Sequence, residues 1–390
     1  MSLRIAMVCT DPGIPFFGTK GASIHLQSVL KVLLDAGHQV HVLTPRPGPL
    51  SHPLAGLVQL HPLPAVKGED AAERERSIQR SDAAISAVLD RLLPDLVYER
   101  YSLWGRTCTQ WAGERVPSIL EVNAPLVQEQ LRHRELVDVA GAESVAHDAL
   151  LAARLVTCVS EPVAQWARSV APEANIVVLP NGVDPERIAP AEGRHDGPFT
   201  VGFLGTLKPW HGVDTLLDAA ALAAAAGNPW HVLMVGDGPL RADLEAAAAR
   251  LGLDVEFTGA LAASDVADQL NRMDVACAPY PVQEDDYFSP LKVYEYLAAG
   301  LPVVASAVGQ IPEILGSDGD TNNAGEAELG VLVPPSDPAA LAAAVTHLRN
   351  DPERRAALGR AARQRVLERH TWNAVVEQAL EHVGLELEPA

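Results

Sequence analysis

Runs of apolar residues alternate with amphipathic stretches through the first half of the chain. Predominantly apolar runs predict buried parallel strands at Arg4–Thr10, Gln39–Leu43, Leu57–Pro62, Asp95–Tyr98, Ser118–Val122, Val156–Val159 and Ile176–Leu179. Apolar residues at helical spacing predict helices at Ala22–Ala36 and Ser77–Leu93. Alternation of this kind predicts a parallel sheet that is covered by helices on both faces.

The alternation of predicted strands and helices begins again in the second half of the chain. Strands are predicted at Thr200–Phe203, Trp230–Val235, Val255–Phe257, Val275–Ala278, Val303–Ala305 and Gly330–Val333. Residues 189–197 are polar and contain Pro and Gly, which favours a linker. We therefore predict an α/β protein with two Rossmann-like domains, at residues 1–188 and 198–370. A helix over residues 371–390 is expected to cross back to the N-terminal domain, and Gly316–Glu328 is predicted as a mobile loop.

Composition and net charge argue against some partners and locations of the protein. The 390 residues are 48% hydrophobic and 21% charged, an ordinary globular composition, and their formal net charge is −20. Nucleic acid is therefore not expected as the main partner, because phosphate binding needs clustered Lys and Arg. No apolar stretch approaches the roughly 20 residues of a membrane helix, and the start of the chain reads as a first strand. We expect a cytoplasmic protein, with transient membrane contact left open.

Four cysteines, Cys9, Cys108, Cys158 and Cys277, lie far apart along the chain. They form no C-x-x-C pair, so we expect free thiols, mostly buried, without a disulfide framework or a metal site.

Glycines follow the first predicted strand and precede the first predicted helix. Ligands of an open parallel sheet bind at the carboxyl ends of the strands, beside helix N-termini. Gly18 and Gly21 would let backbone amides approach an anion or a sugar at this position. Tight packing of the turn is the alternative interpretation.

Two further turns of this kind occur in the second predicted domain. Gly205 follows a strand, and Lys208 lies in the loop before the next helix, where a cation suits a diphosphate. A solvated lysine is the alternative. Gly236, Asp237 and Gly238 follow the next strand and form a tight turn, which either contacts a ligand or only reverses the chain.

A helix start near residue 290 carries the densest group of candidate residues. We predict Ser289 as the N-cap and Pro290 as the first helical residue. The backbone amides of Leu291 and Lys292 would then be free to hold a phosphate. Glu295, one turn later, is suited to bind two neighbouring hydroxyl groups of a ribose. Alternatively, Glu295 is a surface charge that pairs with Lys292 at i,i+3.

The order of these segments resembles glycosyltransferase family 4, retaining enzymes with the GT-B fold. The resemblance extends over nearly the whole chain and rests on six motifs at matching intervals, namely NGVD at Asn181–Asp184, GTLKPWHGVD at Gly205–Asp214, VGDGP at Val235–Pro239, FTG at Phe257–Gly259, DVACAPY at Asp274–Tyr280 and SPLKVYEYLAAGLPVV at Ser289–Val304. The SPLK and EVNAP motifs of this chain resemble those of a bacterial branch of the family.

The resemblance implies a nucleotide-sugar donor bound by the second of two Rossmann-like domains that face each other across a cleft. Glu295 matches the second glutamate of the E-x7-E motif, which holds the ribose. Pro290–Lys292 matches the segment that contacts the sugar and diphosphate. The Gly205–Lys208 turn supplies a diphosphate cation, Lys208, and the loop around Gly21 faces the diphosphate and the acceptor.

Four positions depart from the pattern of the family. Tyr287 stands where the first glutamate of E-x7-E belongs, and the acidic run Glu284–Asp286 precedes it out of register. Thr206 and His211 stand where the family often has Arg and Lys, so Lys208 is expected to compensate. Asn123, in EVNAP, replaces the usual histidine after a buried strand.

The implied reaction is the transfer of a sugar, with retention, from a nucleoside diphosphate to an acceptor hydroxyl on a glycan, a lipid-linked acceptor or a small molecule. A UDP-sugar is favoured and a GDP-sugar is left open; no cofactor and no metal are expected, since no D-x-D site is obvious. The catalytic candidates are Lys208, Asn123 and Glu295. The acceptor-side candidates are His25, Arg100, Asn123 and Glu129, of which His25 and Arg100 are more typical of structural residues.

Three alternatives to sugar transfer differ in how well they fit the sequence. A nucleotide-sugar epimerase would use the same architecture, and a non-catalytic binding or scaffold protein would explain Tyr287. A dinucleotide-dependent oxidoreductase is disfavoured, because no G-x-G-x-x-G with a downstream acid is present.

Overall fold

A computed structural model describes residues 2–113, 115–191, 197–282, 287–316 and 328–387. The chain divides into two compact units, one formed by Met1–Asn181 with Trp372–Ala390 and the other by Gly182–Thr371. Most of the predicted linker and of the predicted mobile loop lies outside the described residues.

The N-terminal segment of the first unit ends at Asn181, before the predicted domain boundary at residue 188. Val183 and Ile188 are buried in the apolar core of the second unit. The backbone amide of Val183 also bonds to the carbonyl of His370, 2.9 Å away, near the other end of that unit. These apolar residues thus belong with the second core, although they precede the polar stretch.

The first unit contains a seven-stranded sheet in the order β3-β2-β1-β4-β5-β6-β7. Its strands, all parallel, are β1 (Arg4–Cys9), β2 (Gln39–Thr44), β3 (Gln59–Pro62), β4 (Leu96–Arg100), β5 (Ser118–Val122), β6 (Leu155–Cys158) and β7 (Ile176–Val178). Its helices include α1 (Gly21–Asp35), α2 (Ala71–Gln79), α3 (Ser81–Leu92), α4 (Leu126–His133), α5 (Val139–Ala152) and α6 (Glu161–Val170). The apolar runs become strands because both faces of the sheet are covered.

The second unit repeats this plan with a six-stranded sheet in the order β10-β9-β8-β11-β12-β13. Its strands, again all parallel, are β8 (Thr200–Leu204), β9 (His231–Val235), β10 (Val255–Gly259), β11 (Val275–Ala278), β12 (Val303–Ser306) and β13 (Gly330–Val333). Its helices include α7 (Val213–Ala225), α8 (Arg241–Leu251), α9 (Val266–Leu270), α10 (Leu291–Ala298), α11 (Ile311–Leu315), α12 (Pro338–Asn350) and α13 (Pro352–Arg369). The prediction of two Rossmann-like α/β domains is confirmed.

The last helix, α14 (Trp372–His382), belongs to the first unit. Its apolar face is formed by Trp372, Val376 and Leu380, each no more than 4% exposed. It packs against α1 and β6. The indole of Trp372 lies edge-on to the ring of His25, with 4.6 Å between ring centroids. Among the described helices, none is long and apolar enough to cross a membrane.

Two predictions about helix boundaries were wrong. The predicted helix at Ser77–Leu93 is two helices, α2 and α3, which meet at Arg80. Ser289 does not cap α10, because that helix begins at Leu291 and its N-cap is Pro290. The prediction of free, buried cysteines is confirmed for all four.

Candidate active site

Two glycine turns lie against each other at the carboxyl edge of the second sheet. Gly205 follows β8 with φ +144°, and Gly236 follows β9 with φ +132°. A Cβ on Gly236 would lie 2.1 Å from the carbonyl oxygen of Gly205, and one on Gly238 would lie 2.4 Å from that of Leu207. Side chains are excluded at these places, so backbone polar groups form this edge of the sheet.

The turns are held together by backbone hydrogen bonds. The amide of Leu207 donates to the carbonyl of Asp237 over 2.9 Å, and the amide of Gly205 donates to that of Val235 over 2.9 Å. The carboxylate of Asp237 accepts from the amide of Gly238 at 2.7 Å. Asp237 is therefore occupied in shaping the turn.

The start of α10 approaches the same edge. The first two residues of a helix, here Leu291 and Lys292, carry amides without a partner inside the helix. The Tyr296 hydroxyl accepts from the amide of Leu204 at 2.7 Å and lies 3.2 Å from the carbonyl of Cys277. This hydroxyl fixes α10 against β8 and β11, so amides and glycine turns converge at one place.

Glu295 forms an ion pair that the sequence did not predict. One of its carboxylate oxygens lies 2.7 Å from a guanidinium nitrogen of Arg187, and the two side chains are 17% and 25% exposed. Another nitrogen of Arg187 donates to the carbonyl of Ala263 at 3.2 Å. Glu295 therefore does not form the alternative ion pair with Lys292. Arg187 instead orients the carboxylate.

Lys208 and His211 occupy the loop between β8 and α7. The Lys208 amine lies 4.4 Å from the centre of the Trp210 ring, which is 49% exposed. The Nδ1 atom of His211 lies 2.5 Å from the carbonyl of Thr206 and so donates to it. Burial lowers the pKa of His211 to about 3. His211 is therefore neutral near pH 7 and supplies no cation.

In the first unit, a buried carboxylate joins most of the acceptor-side candidates. Glu121, on β5, is 3% exposed. Its oxygens accept hydrogen bonds at 2.6 Å from Arg100 and at 2.6 Å from Asn123. They also accept one at 2.5 Å from the hydroxyl of Tyr98 and lie 2.8 Å from Nε2 of His25. Burial alone would raise the pKa of Glu121, but the charges of His25 and Arg100 hold that pKa below its usual range.

Glu129 and Gly21 lie outside this network. Glu129, on α4, lines a cavity of about 500 Å³ together with Thr10, Asp11 and Trp104. Gly21 is exposed in the first turn of α1. Sequence analysis therefore identified Arg100, Asn123 and His25 but missed Glu121, whose carboxylate connects them. The presence of a glutamate within a predicted buried strand could have revealed it.

Comparisons with known proteins match both units. The profile described as Glycosyltransferase Family 4 matches residues 19–187, and that described as Glycosyl transferases group 1 matches residues 198–351. A GDP-mannose-dependent alpha-(1-6)-phosphatidylinositol monomannoside mannosyltransferase of Mycolicibacterium smegmatis is 30% identical over 290 residues, which cover 68% of this chain and 73% of that protein. The chain belongs to glycosyltransferase family 4.

Other relatives of this family 4 chain match over shorter stretches. A 2-deoxystreptamine glucosyltransferase of Streptomyces kanamyceticus is 34% identical over 45% of this chain and 46% of that protein. A D-inositol 3-phosphate glycosyltransferase of Kineococcus radiotolerans is 32% identical over 53% and 51%. The chain thus spans about half the length of these curated relatives.

Solved structures share the fold of the family 4 chain. Sucrose-phosphate synthase from Thermosynechococcus elongatus has a TM-score of 0.72 at 22% identity, covering 96% of this chain and 97% of that one. The Anabaena protein HepE in complex with UDP has a TM-score of 0.72 at 19% identity, covering 98% and 100%. These likenesses support the expected GT-B fold.

The chain carries no basic residue at two positions where the sequence resemblance leads us to expect one. Thr206 and His211 stand there, and His211 is neutral near pH 7. Lys208 is half-buried against Trp210. The acidic run before Tyr287 falls outside the described residues.

Proposed function

We propose that this chain transfers a sugar from a nucleoside-diphosphate sugar to an acceptor hydroxyl, with retention of configuration at the anomeric carbon. The observation that carries the proposal is the convergence of the Gly205 turn, the Gly236 turn and the first turn of α10 at one sheet edge, with Glu295 one turn away. Backbone amides at such an edge suit a diphosphate. The Arg187-oriented carboxylate of Glu295 suits the two hydroxyls of a ribose.

In the proposed reaction, the bond from the anomeric carbon to the diphosphate oxygen breaks while the acceptor oxygen bonds to that carbon. Negative charge grows on the leaving diphosphate, which takes the acceptor proton. Preorganised donors and cations stabilise such charge in the transition state. Lys208 and the amides of Leu291 and Lys292 are proposed for this task, and the proposed reaction does not require a divalent metal.

On the acceptor side, we propose that Asn123 contacts the hydroxyl substrate. Glu121 would hold its amide through the 2.6 Å hydrogen bond. The donor base is proposed to be uridine. Guanosine is the second choice, because two relatives are named as dependent on GDP-mannose. Acceptors ranging from aminocyclitols to lipid-linked inositols occur in the names of relatives, and a hydroxylated acceptor is their shared chemistry.

A thermal-shift screen against UDP-, GDP-, ADP- and dTDP-sugars tests donor binding first. Stabilisation by one of them is expected, and stabilisation by none would favour a non-catalytic protein. Conversion of the donor to an isomeric sugar without an acceptor would favour an epimerase instead. Transfer that is lost in EDTA and restored by Mg²⁺ would contradict independence from metal.

Glu295→Ala and Lys208→Ala should each lower the rate of transfer more than tenfold, through lost donor positioning and lost leaving-group stabilisation. Glu256→Ala is the matched control, because Glu256 also pairs with an arginine, Arg272, at 2.5 Å. It lies near the start of β10, at the opposite edge of the sheet. Wild-type rates in both site variants would refute the assignment.

A further inference from the structure

The amine of Lys292 is buried in the second unit, away from hydrogen-bond acceptors of the described residues. The residue lies in the first turn of α10 and is 8% exposed. Among the described residues, no atom accepts a hydrogen bond from its Nζ atom. Nζ lies instead 4.1 Å from the centre of the Phe203 ring and 5.1 Å from that of Tyr280. A buried amine without a hydrogen bond is costly, so its position calls for a ligand.

The amine points at the Gly205 turn. A Cβ on Gly205 would lie 2.9 Å from Nζ, so glycine at this position leaves room for the amine beside the backbone. The turn follows β8 at the edge where the amides of Leu291 and Lys292 also lie. An anion at this edge would meet backbone amides and the Lys292 amine together.

None of the described charged or titratable groups around the amine forms an ion pair with it. Glu295, on the same helix, is paired with Arg187 at 2.7 Å. His211, from the loop after β8, is neutral near pH 7. Tyr280, after β11, is buried, which raises its pKa. The remaining described cation of that loop, Lys208, lies over Trp210.

We propose that the side-chain amine of Lys292 is a ligand of the donor's diphosphate, and that it takes up a proton from solvent as the diphosphate binds. This inference rests on the proposed function. A buffer acid gives up its proton, the lone pair on Nζ forms the new N–H bond, and the ammonium donates to a phosphate oxygen. Lys292 would thus supply the charge that Thr206 and His211 do not.

Burial lowers the pKa of Lys292 to about 7, against the opposing effect of Glu295. The unbound amine is then mostly unprotonated at pH 8 and mostly protonated at pH 6. If the bound amine is fully protonated, binding should take up most of one proton at pH 8 and much less at pH 6. A nucleotide sugar is the suitable probe, because its diphosphate diester does not titrate in this range.

Isothermal titration calorimetry of UDP-glucose, and of GDP-mannose, measures this proton uptake when each pH is run in two buffers of different ionisation enthalpy, HEPES and Tris at pH 8, and MES and Bis-Tris at pH 6. Wild type should show it at pH 8 and lose most of it at pH 6. Lys292→Met should bind about 10- to 100-fold more weakly, as expected for the loss of a charge-assisted hydrogen bond, and take up no proton. Lys208→Met is the matched control: it should bind more weakly but keep the proton uptake.

The possible failures are distinguishable. Wild type that binds none of the UDP-, GDP-, ADP- and dTDP-sugars would contradict the proposed function itself. Wild type that binds a nucleotide sugar without proton uptake at pH 8 would overturn the proposed protonation step, and this measurement does not depend on the variant folding. Folded Lys292→Met that binds as tightly as wild type would overturn the role of the amine as a ligand. Uptake that persists in folded Lys292→Met would assign the proton to another group, such as His211, and would also overturn the protonation step.

Discussion

Replacing Glu121 by glutamine should be among the most destabilising isosteric changes in the first unit. The substitution removes the charge that faces Arg100, whose side chain is 9% exposed. Removing one partner of a buried ion pair costs about 3–5 kcal/mol, because the other charge is left uncompensated. Glutamine also replaces one carboxylate oxygen by an NH2 group, which cannot accept the hydrogen bonds made to that oxygen, whether from Tyr98 and His25 or from Arg100 and Asn123. We therefore expect the free energy of unfolding to fall by about 3–5 kcal/mol.

Thermal unfolding followed by circular dichroism at pH 7 measures this loss. For a unit of this size, each kcal/mol lowers the melting temperature by about 2–4 °C, which predicts a decrease of about 6–20 °C. The matched control is Glu161→Gln, which removes a half-exposed pair with Arg168 at 2.7 Å. Such a pair contributes less than about 1 kcal/mol. Equal melting temperatures for the two variants would refute the reasoning.

The pH dependence provides a second measurement of the same effect. Because the pKa of Glu121 is lowered in the folded state, its carboxylate stabilises the fold fully above the unfolded value of about 4.3. That contribution is lost as the pH falls from there towards the folded pKa. The stability difference between wild type and Glu121→Gln should therefore narrow below about pH 4. A difference that stays constant down to pH 3 would contradict the ionised carboxylate.

Two further predictions concern other parts of the fold. Gly212→Ala should cost about 2–5 kcal/mol in urea unfolding, because φ is +61° and a Cβ would lie 1.9 Å from the carbonyl oxygen of Pro279. Gly227→Ala, with φ +77° and open space, should cost only about 1–2 kcal/mol; equal losses would refute the steric argument. His41 and His61 lie 3.0 Å apart between Nδ1 and Nε2, and burial lowers the pKa of both. Folding should therefore weaken as the pH falls below about 6.5, and His61→Gln should flatten that decline; an unchanged decline would assign it to other groups.

The strands were predictable because each apolar run is bounded by polar or glycine residues. The strands at Val275–Ala278 and Gly330–Val333 match their predicted ranges. The break between α2 and α3 was not predictable in the same way. Around Arg80 the sequence is polar and favours helix on both sides, without Gly or Pro to mark an end.

Only those parts of the candidate site that are formed by residues close together in the sequence could be predicted. Glycine turns after strands are local features, so Gly205 and Gly236 could be identified from sequence. The pairing of Arg187 with Glu295 joins residues 108 positions apart, and no local pattern announces it. Likewise, the burial of the Lys292 amine depends on Phe203 and on Tyr280, which come from two other elements.

The assignment of α14 to the first unit has a consequence for biosynthesis. The ribosome makes α1 before the second unit, but the helix that buries part of it emerges only after that unit. The first unit therefore cannot complete its core until the whole second unit has been synthesised. Because Trp372 contacts His25 within the network around Glu121, a nascent chain that stops before Trp372 would leave that network open to water. Such chains should be recognised by proteases more readily than full-length protein.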